Sequence, residues 1–97
     1  SGKPFSVQQA AAWGLVNRVC AADEMLPAVM ETAAAIAANA PVAVRQAKHA
    51  IRSGVGMPLA AGLNFEIEAY NRTVTTADRR EGVAAFNEKR KPDFSGD

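Results

Sequence analysis

Glu66 and Glu68 are the first side chains to weigh for chemistry, because general acid–base work asks for a carboxylate pair or a histidine in a desolvated pocket. Two residues apart on a helix, they point about 200° from each other and cannot share a site. Asp78 and Glu81 can face one another, yet they fall at the start of a predicted helix, where acidic residues complement the helix dipole without further reason. Ser6, Ser53 and Ser95 have no nearby base and no strained G-x-S-x-G turn. Cys20 follows an apolar run and reads as a small buried hydrophobe. His49 is the only histidine, which excludes a Cys/His zinc site, and neither a P-loop nor G-x-G-x-x-G is present. Residue chemistry alone therefore places no catalytic residue and no metal site in the chain.

Two constellations could bind rather than react. Arg45, Lys48, His49 and Arg52 form a basic stripe at helical spacing, which suits nucleic acid or, more plainly, a solvated face without aromatic partners. Phe86 and Lys89 are three apart and share a helix face, with Arg90 and Lys91 beside them. An exposed ring one turn from an ammonium can read a nucleotide, the ring stacking on the base while the lysine meets a phosphate. The plainer alternative is a Phe86 packed beside Val83 and a solvated Lys89, and spacing alone favours it.

The elements that must position these groups are helical. Ser6 and Gln9 have the capping-box spacing and Gly14 suits a stop, so residues 6–13 read as a short helix. Leu15 to Cys20 is the one strand-like piece; with no partner in the chain it is either irregular or paired with sequence outside it. A second helix is predicted from Asp23 to Ala38, Pro27 being tolerated in its first turn, with Leu26, Val29, Met30, Ala33, Ile36 and Ala37 as its apolar stripe. Pro41 opens a third helix that ends at Gly54 and buries Val44, Ala47 and Ile51. The fourth, Leu59 to Val74, carries the seam Leu59, Leu63, Ile67, Tyr70, Val74, with Glu68 and Arg72 as an i,i+4 pair on its wet side. Thr76 caps a fifth helix, and Pro92 follows its end. The expected fold class is all-α, a small orthogonal bundle of about five helices in one domain over residues 1–97.

Composition agrees with helices and with a thin core. Of the 97 residues, 21 are alanine, the strongest helix former, and Val, Ile, Leu and Phe together number 20. That scarcity approaches the level of disordered chains, but a net charge of +1 does not. A single cysteine excludes an internal disulfide, and charged residues interrupt every apolar stretch before it could span a bilayer. No signal-peptide pattern opens the sequence, which begins Ser-Gly-Lys-Pro, and the expectation is a cytoplasmic, bacterial-type protein cut from something longer.

The run Asp78-Arg79-Arg80-Glu81-Gly82-Val83-Ala84-Ala85-Phe86-Asn87-Glu88-Lys89-Arg90-Lys91-Pro92-Asp93-Phe94 resembles the C-terminal signature of the crotonase superfamily, the enoyl-CoA hydratases and isomerases. Three further pieces fall in the family's order: Gly2 to Ser6, Ala12 to Val19 and Ile36 to Pro41. The resemblance covers essentially the whole chain. It implies the C-terminal helical part of a two-part enzyme, which covers the active site and packs on neighbouring subunits of a trimer or hexamer. The N-terminal ββα-spiral domain, which supplies the oxyanion hole and the catalytic glutamates, would be absent, so the fragment alone is expected to be inactive. The substrate would be an acyl-CoA, with coenzyme A part of that substrate and no separate cofactor, and neither nucleic acid nor membrane as partner. By the same resemblance Phe86 and Lys89 match the residues that contact the adenine and phosphate end of coenzyme A on an adjacent subunit. Tyr70 matches an aromatic residue lining the acyl pocket, and Trp13 departs from the family's aliphatic residue and is expected to fill a core or interface gap. The rival reading is a free-standing helical module that binds nucleic acid or protein through the Arg45, His49, Arg52 stripe.

Overall fold

The computed structural model describes residues 2–97, and among them all regular structure is helical: α1 (Val7–Ala12), α2 (Met25–Ala37), α3 (Pro41–Gly54), α4 (Leu59–Val74) and α5 (Ala77–Glu88). The fold is all-α, as composition and spacing predict. The contacts divide the chain into two compact units, one reaching Ala33 and the other spanning Ala34–Asp97, with the boundary inside α2.

Local signals set the helix ends of the first unit. Ser6 Oγ accepts the Gln9 N–H at 3.2 Å, and the Ser6 N–H donates to Gln9 Oε1 at 2.9 Å, a closed capping box. At the other end Gly14 adopts φ +73°, and the N–H groups of Gly14 and Leu15 donate to the carbonyls of Ala11 and Ala10. This is the paired turn that satisfies the last carbonyls of a helix. The strand-like piece over Leu15 to Cys20 takes the first of its two alternatives and is irregular, since no second strand is there among the described residues to take its backbone groups. α2 starts two residues later than predicted, after a turn closed by Glu24 N–H on the Ala21 carbonyl. Pro27 is its third residue, where a missing N–H costs nothing. Arg18 and Glu31 pair across this unit at 3.0 Å, with both side chains mostly in water.

In the second unit Asn39 Nδ2 donates to the Ala35 carbonyl at 2.8 Å and closes the end of α2. Pro41 begins α3, and α3 and α4 are the one pair of helices that pack extensively. His49 of α3 meets Phe65 of α4 edge-on at 5.0 Å between ring centroids. The helices come close where Gly54 ends α3 and Gly62 sits in α4: a Cβ at Gly62 would lie 3.8 Å from the Gly54 Cα and carbonyl oxygen. That is ordinary van der Waals contact, so Gly62→Ala should gain helix propensity without a clash and stabilise the chain by about 0.5–1 kcal/mol. Urea unfolding checks this; a loss of stability would mean the helices need a closer approach than they show.

The buried face predicted for α3 is corrected by the structure: Ala47 and Ile51 are exposed and Val44 is half-buried. Among the described residues, those buried are Ala10 and Ala28 in the first unit and Ala69, Ala85 and Asp78 in the second. Leu26, Val29, Met30 and Ile36 of α2 are exposed, as are Ile51 of α3 and Leu59, Leu63, Ile67, Tyr70 and Val74 of α4; Leu59 is 78% exposed. A 3.6-residue period tells which face of a helix is apolar, but whether anything covers that face depends on the neighbours. Small residues occupy the places where these helices approach, and the bulky ones face outward. Glu68 and Arg72 form no ion pair among the described residues, as expected where two long side chains in water gain little by meeting. No single helix is long and apolar enough to cross a membrane.

Candidate functional site

α5 and the segment after it hold most of the polar organisation. Thr76 caps the helix, its Oγ1 accepting the Arg79 N–H at 3.1 Å. The next two free N–H groups, of Ala77 and Asp78, donate to the main-chain oxygen of Asp97 at 2.8 and 3.3 Å. Residues 91–97 therefore run back along α5. Phe94 lies against Gly82, where a Cβ would stand 3.6 Å from the ring, and Gly96 approaches Pro41 at the start of α3.

Two carboxylates pin this return. Asp78 is only 2% exposed. It accepts from the Ser95 N–H at 2.8 Å and from the Gly96 N–H at 3.2 and 3.0 Å, with the Ser95 hydroxyl at 3.4 Å. Glu81 accepts two bonds from the Arg90 guanidinium, at 2.5 and 2.8 Å, and a third from the Asp93 N–H at 2.8 Å. The Arg90 hydrogen bonds, then the Asp93 amide, hold the Glu81 carboxyl down to about 2, and its partners push the Arg90 guanidinium further up. A depressed carboxyl stabilises the fold fully above the ordinary value of 4.5, and that contribution is lost as pH falls through about 2. Asp78 and Glu81 thus do more than complement the dipole. Their spacing of three on one helix face, followed by Arg90 and the tail, was the available signal.

The far end of α5 places the predicted binding pair. Phe86 is 83% exposed, and Val83, one turn before it, is also exposed. Lys89 ends the helix in the left-handed conformation, φ +56°, with the N–H groups of Lys89 and Arg90 on the carbonyls of Phe86 and Ala85. Both side chains therefore stand in solvent at one helix end. Arg90 is committed to Glu81 and Glu88, whereas Lys89 and Lys91 enter no ion pair among the described residues.

Tyr70 belongs to a second place, an open groove of about 310 Å³ between α3 and α4 that Gln46, Glu66 and Thr73 also line. It is 56% exposed. Gln46 Oε1 is buried there without a hydrogen-bond partner. Cys20, expected to be buried, is exposed because the irregular segment that carries it is uncovered. Trp13 is likewise exposed, tilted on Phe5 at 5.2 Å between centroids. No three His, Cys, Asp or Glu side chains come together as a metal site among the described residues. Arg45, Lys48, His49 and Arg52 are all exposed on α3.

The sequence profile of the family described as enoyl-CoA hydratase/isomerase matches residues 1–97. YngF of Bacillus subtilis (strain 168) is 47% identical over 96 residues, which take in 99% of this chain and 37% of its own length. The 2,3-dehydroadipyl-CoA hydratase of Escherichia coli (strain K12) is 38% identical over 96 residues, 99% of this chain and 38% of its own. Among solved structures, enoyl-CoA hydratase from Bacillus anthracis superposes with a TM-score of 0.92 at 42% identity, over 96% of this chain and 36% of that one. The chain spans little more than a third of the length of these relatives and matches their C-terminal part. None of the matches lends support to a free-standing nucleic-acid module built on the α3 stripe. With its whole length inside the family profile and its helices superposing on a solved member, the chain belongs to the enoyl-CoA hydratase/isomerase family.

Proposed function

We propose that residues 1–97 are the C-terminal, substrate-covering and subunit-contacting part of an enzyme that acts on acyl-CoA thioesters through an oxyanion-stabilised enolate. The single observation behind this reading is the exposed Phe86, 83% in solvent, at the helix end where Lys89 also leaves the helix. A ring left uncovered costs apolar burial unless a ligand uses it, and an aromatic face with a nearby ammonium matches the adenine and phosphates of coenzyme A. Tyr70, in the groove between α3 and α4, is proposed to border the acyl chain. The open apolar faces of α2 and α4 are proposed to meet the N-terminal part of the same enzyme and neighbouring subunits of a homo-oligomer. Coenzyme A arrives with the substrate, and the reading requires neither metal nor separate cofactor.

Titration of the chain with coenzyme A, followed by nuclear magnetic resonance, tests the site. Binding should be weak, and Phe86→Ala and Lys89→Ala should each weaken it by about tenfold, the worth of one stacked base or one charged phosphate contact. Unchanged affinity in both variants would overturn the assignment of the pair.

A further inference from the structure

We infer that Arg90 is a positioning residue for the proposed nucleotide grip, fixing where the Lys89 ammonium stands relative to Phe86 by locking the left-handed backbone at Lys89. The inference rests on the reading of Phe86 and Lys89 just given. Lys89 is the only non-glycine with positive φ among the described residues, a conformation that a Cβ disfavours. The end of α1 makes the same pair of backbone hydrogen bonds and uses Gly14 to do so. Glycine at position 89 would close the α5 turn without strain, so a lysine held there is strain retained around a side chain that has a use.

What holds it is the Arg90 guanidinium. Its two terminal nitrogens grip both oxygens of Glu81, its Nε donates to Glu88 at 2.6 Å, and Nη1 also reaches the Lys91 carbonyl at 3.2 Å. Glu88 and Lys91 flank the Lys89–Arg90 pair in sequence, and Glu81 in turn binds the Asp93 N–H. The chain on both sides of Lys89 is thereby tied to one planar cation. A planar five-donor fork can make all these bonds at once, and an ammonium cannot. Arg90 itself is spent on these partners, whereas Lys89 and Lys91 enter no ion pair among the described residues.

The test uses the 97-residue chain and adenosine 3′,5′-bisphosphate as probe, with chemical shifts reporting both binding and the Lys89 backbone. Arg90→Ala should weaken binding by about tenfold, close to the loss in Lys89→Ala, and in a Lys89→Ala background it should cost less than about twofold more. Arg90→Lys, which retains the charge and most of the packing, should fail to restore affinity; it keeps the result readable should Arg90→Ala loosen α5. In both Arg90 variants the Lys89 shifts should leave their left-handed values. Equal losses in the two backgrounds would mean that Arg90 acts directly through its charge, and that outcome overturns the inference. So would a Lys89 that stays left-handed, or full rescue by Arg90→Lys. If Lys89→Ala alone binds like the parent chain, the reading of the site fails first and the inference falls with it.

Discussion

Asp78→Ala should cost the chain about 2–3 kcal/mol of stability, because it removes the acceptor for a segment that has no other anchor of comparable burial. The carboxylate is 2% exposed and takes hydrogen bonds from the Ser95 and Gly96 amides and the Ser95 hydroxyl. Truncation leaves those donors either unpaired or released to water with residues 91–97, and Phe94 then leaves Gly82. A purely electrostatic role at the helix N-terminus would be worth only about 0.3–1 kcal/mol, so the magnitude decides between the two accounts. Urea unfolding gives the number, and amide exchange at Ser95 and Gly96 gives the mechanism. Exchange should accelerate in the variant by far more than at amides of α3 and α4. A loss under about 1 kcal/mol with Ser95 still protected would return Asp78 to the dipole role.

The helix ends were legible because their causes are local. Ser6 with Gln9, Gly14, Pro41 and Thr76 each act within four residues, and each stands where spacing puts it. α2 begins later than Asp23 because the Ala21–Glu24 turn intervenes, which no periodicity records. The spacing marks an apolar stripe on α2, a buried face on α3 and a seam on α4, yet Ile51 of α3 and the large residues of that stripe and seam are exposed. Burial depends on a covering surface, and a chain matching about a third of its relatives does not display that surface in its own pattern. The Asp78 and Glu81 bonds leave no local signature because their partners lie 9 to 18 residues downstream. At the candidate site, the spacing of Phe86 and Lys89 was visible, as was the resemblance that gives them a role. Hidden were the exposure of the ring and the left-handed turn at Lys89, a position where sequence rules look for glycine.

The largest effect expected concerns turnover. The chain by itself should hydrate crotonyl-CoA no faster than buffer does, even at stoichiometric concentration. Hydration through an enolate needs donors aimed at the thioester oxygen, each worth about a hundred- to a thousandfold, and groups that move the proton and water. Among the described residues, Asp78 and Glu81 are both taken by the C-terminal segment, Glu66 lines the α3–α4 groove without Glu68, and Glu24 and Glu31 share an open hollow in which Glu31 is paired with Arg18. The role proposed for Phe86 and Lys89 is grip on the substrate, and grip remote from the reacting carbons changes KM more than kcat.

Steady-state hydration of crotonyl-CoA, by the chain alone and by a graft of residues 1–97 in place of the matching C-terminal part of the Escherichia coli hydratase, puts this to the most direct test. No turnover is expected from the chain and turnover is expected from the graft, with Phe86→Ala and Lys89→Ala in the graft each raising KM by about tenfold while kcat stays within about twofold. Turnover by the chain alone, or an active graft whose KM ignores both substitutions, would contradict it.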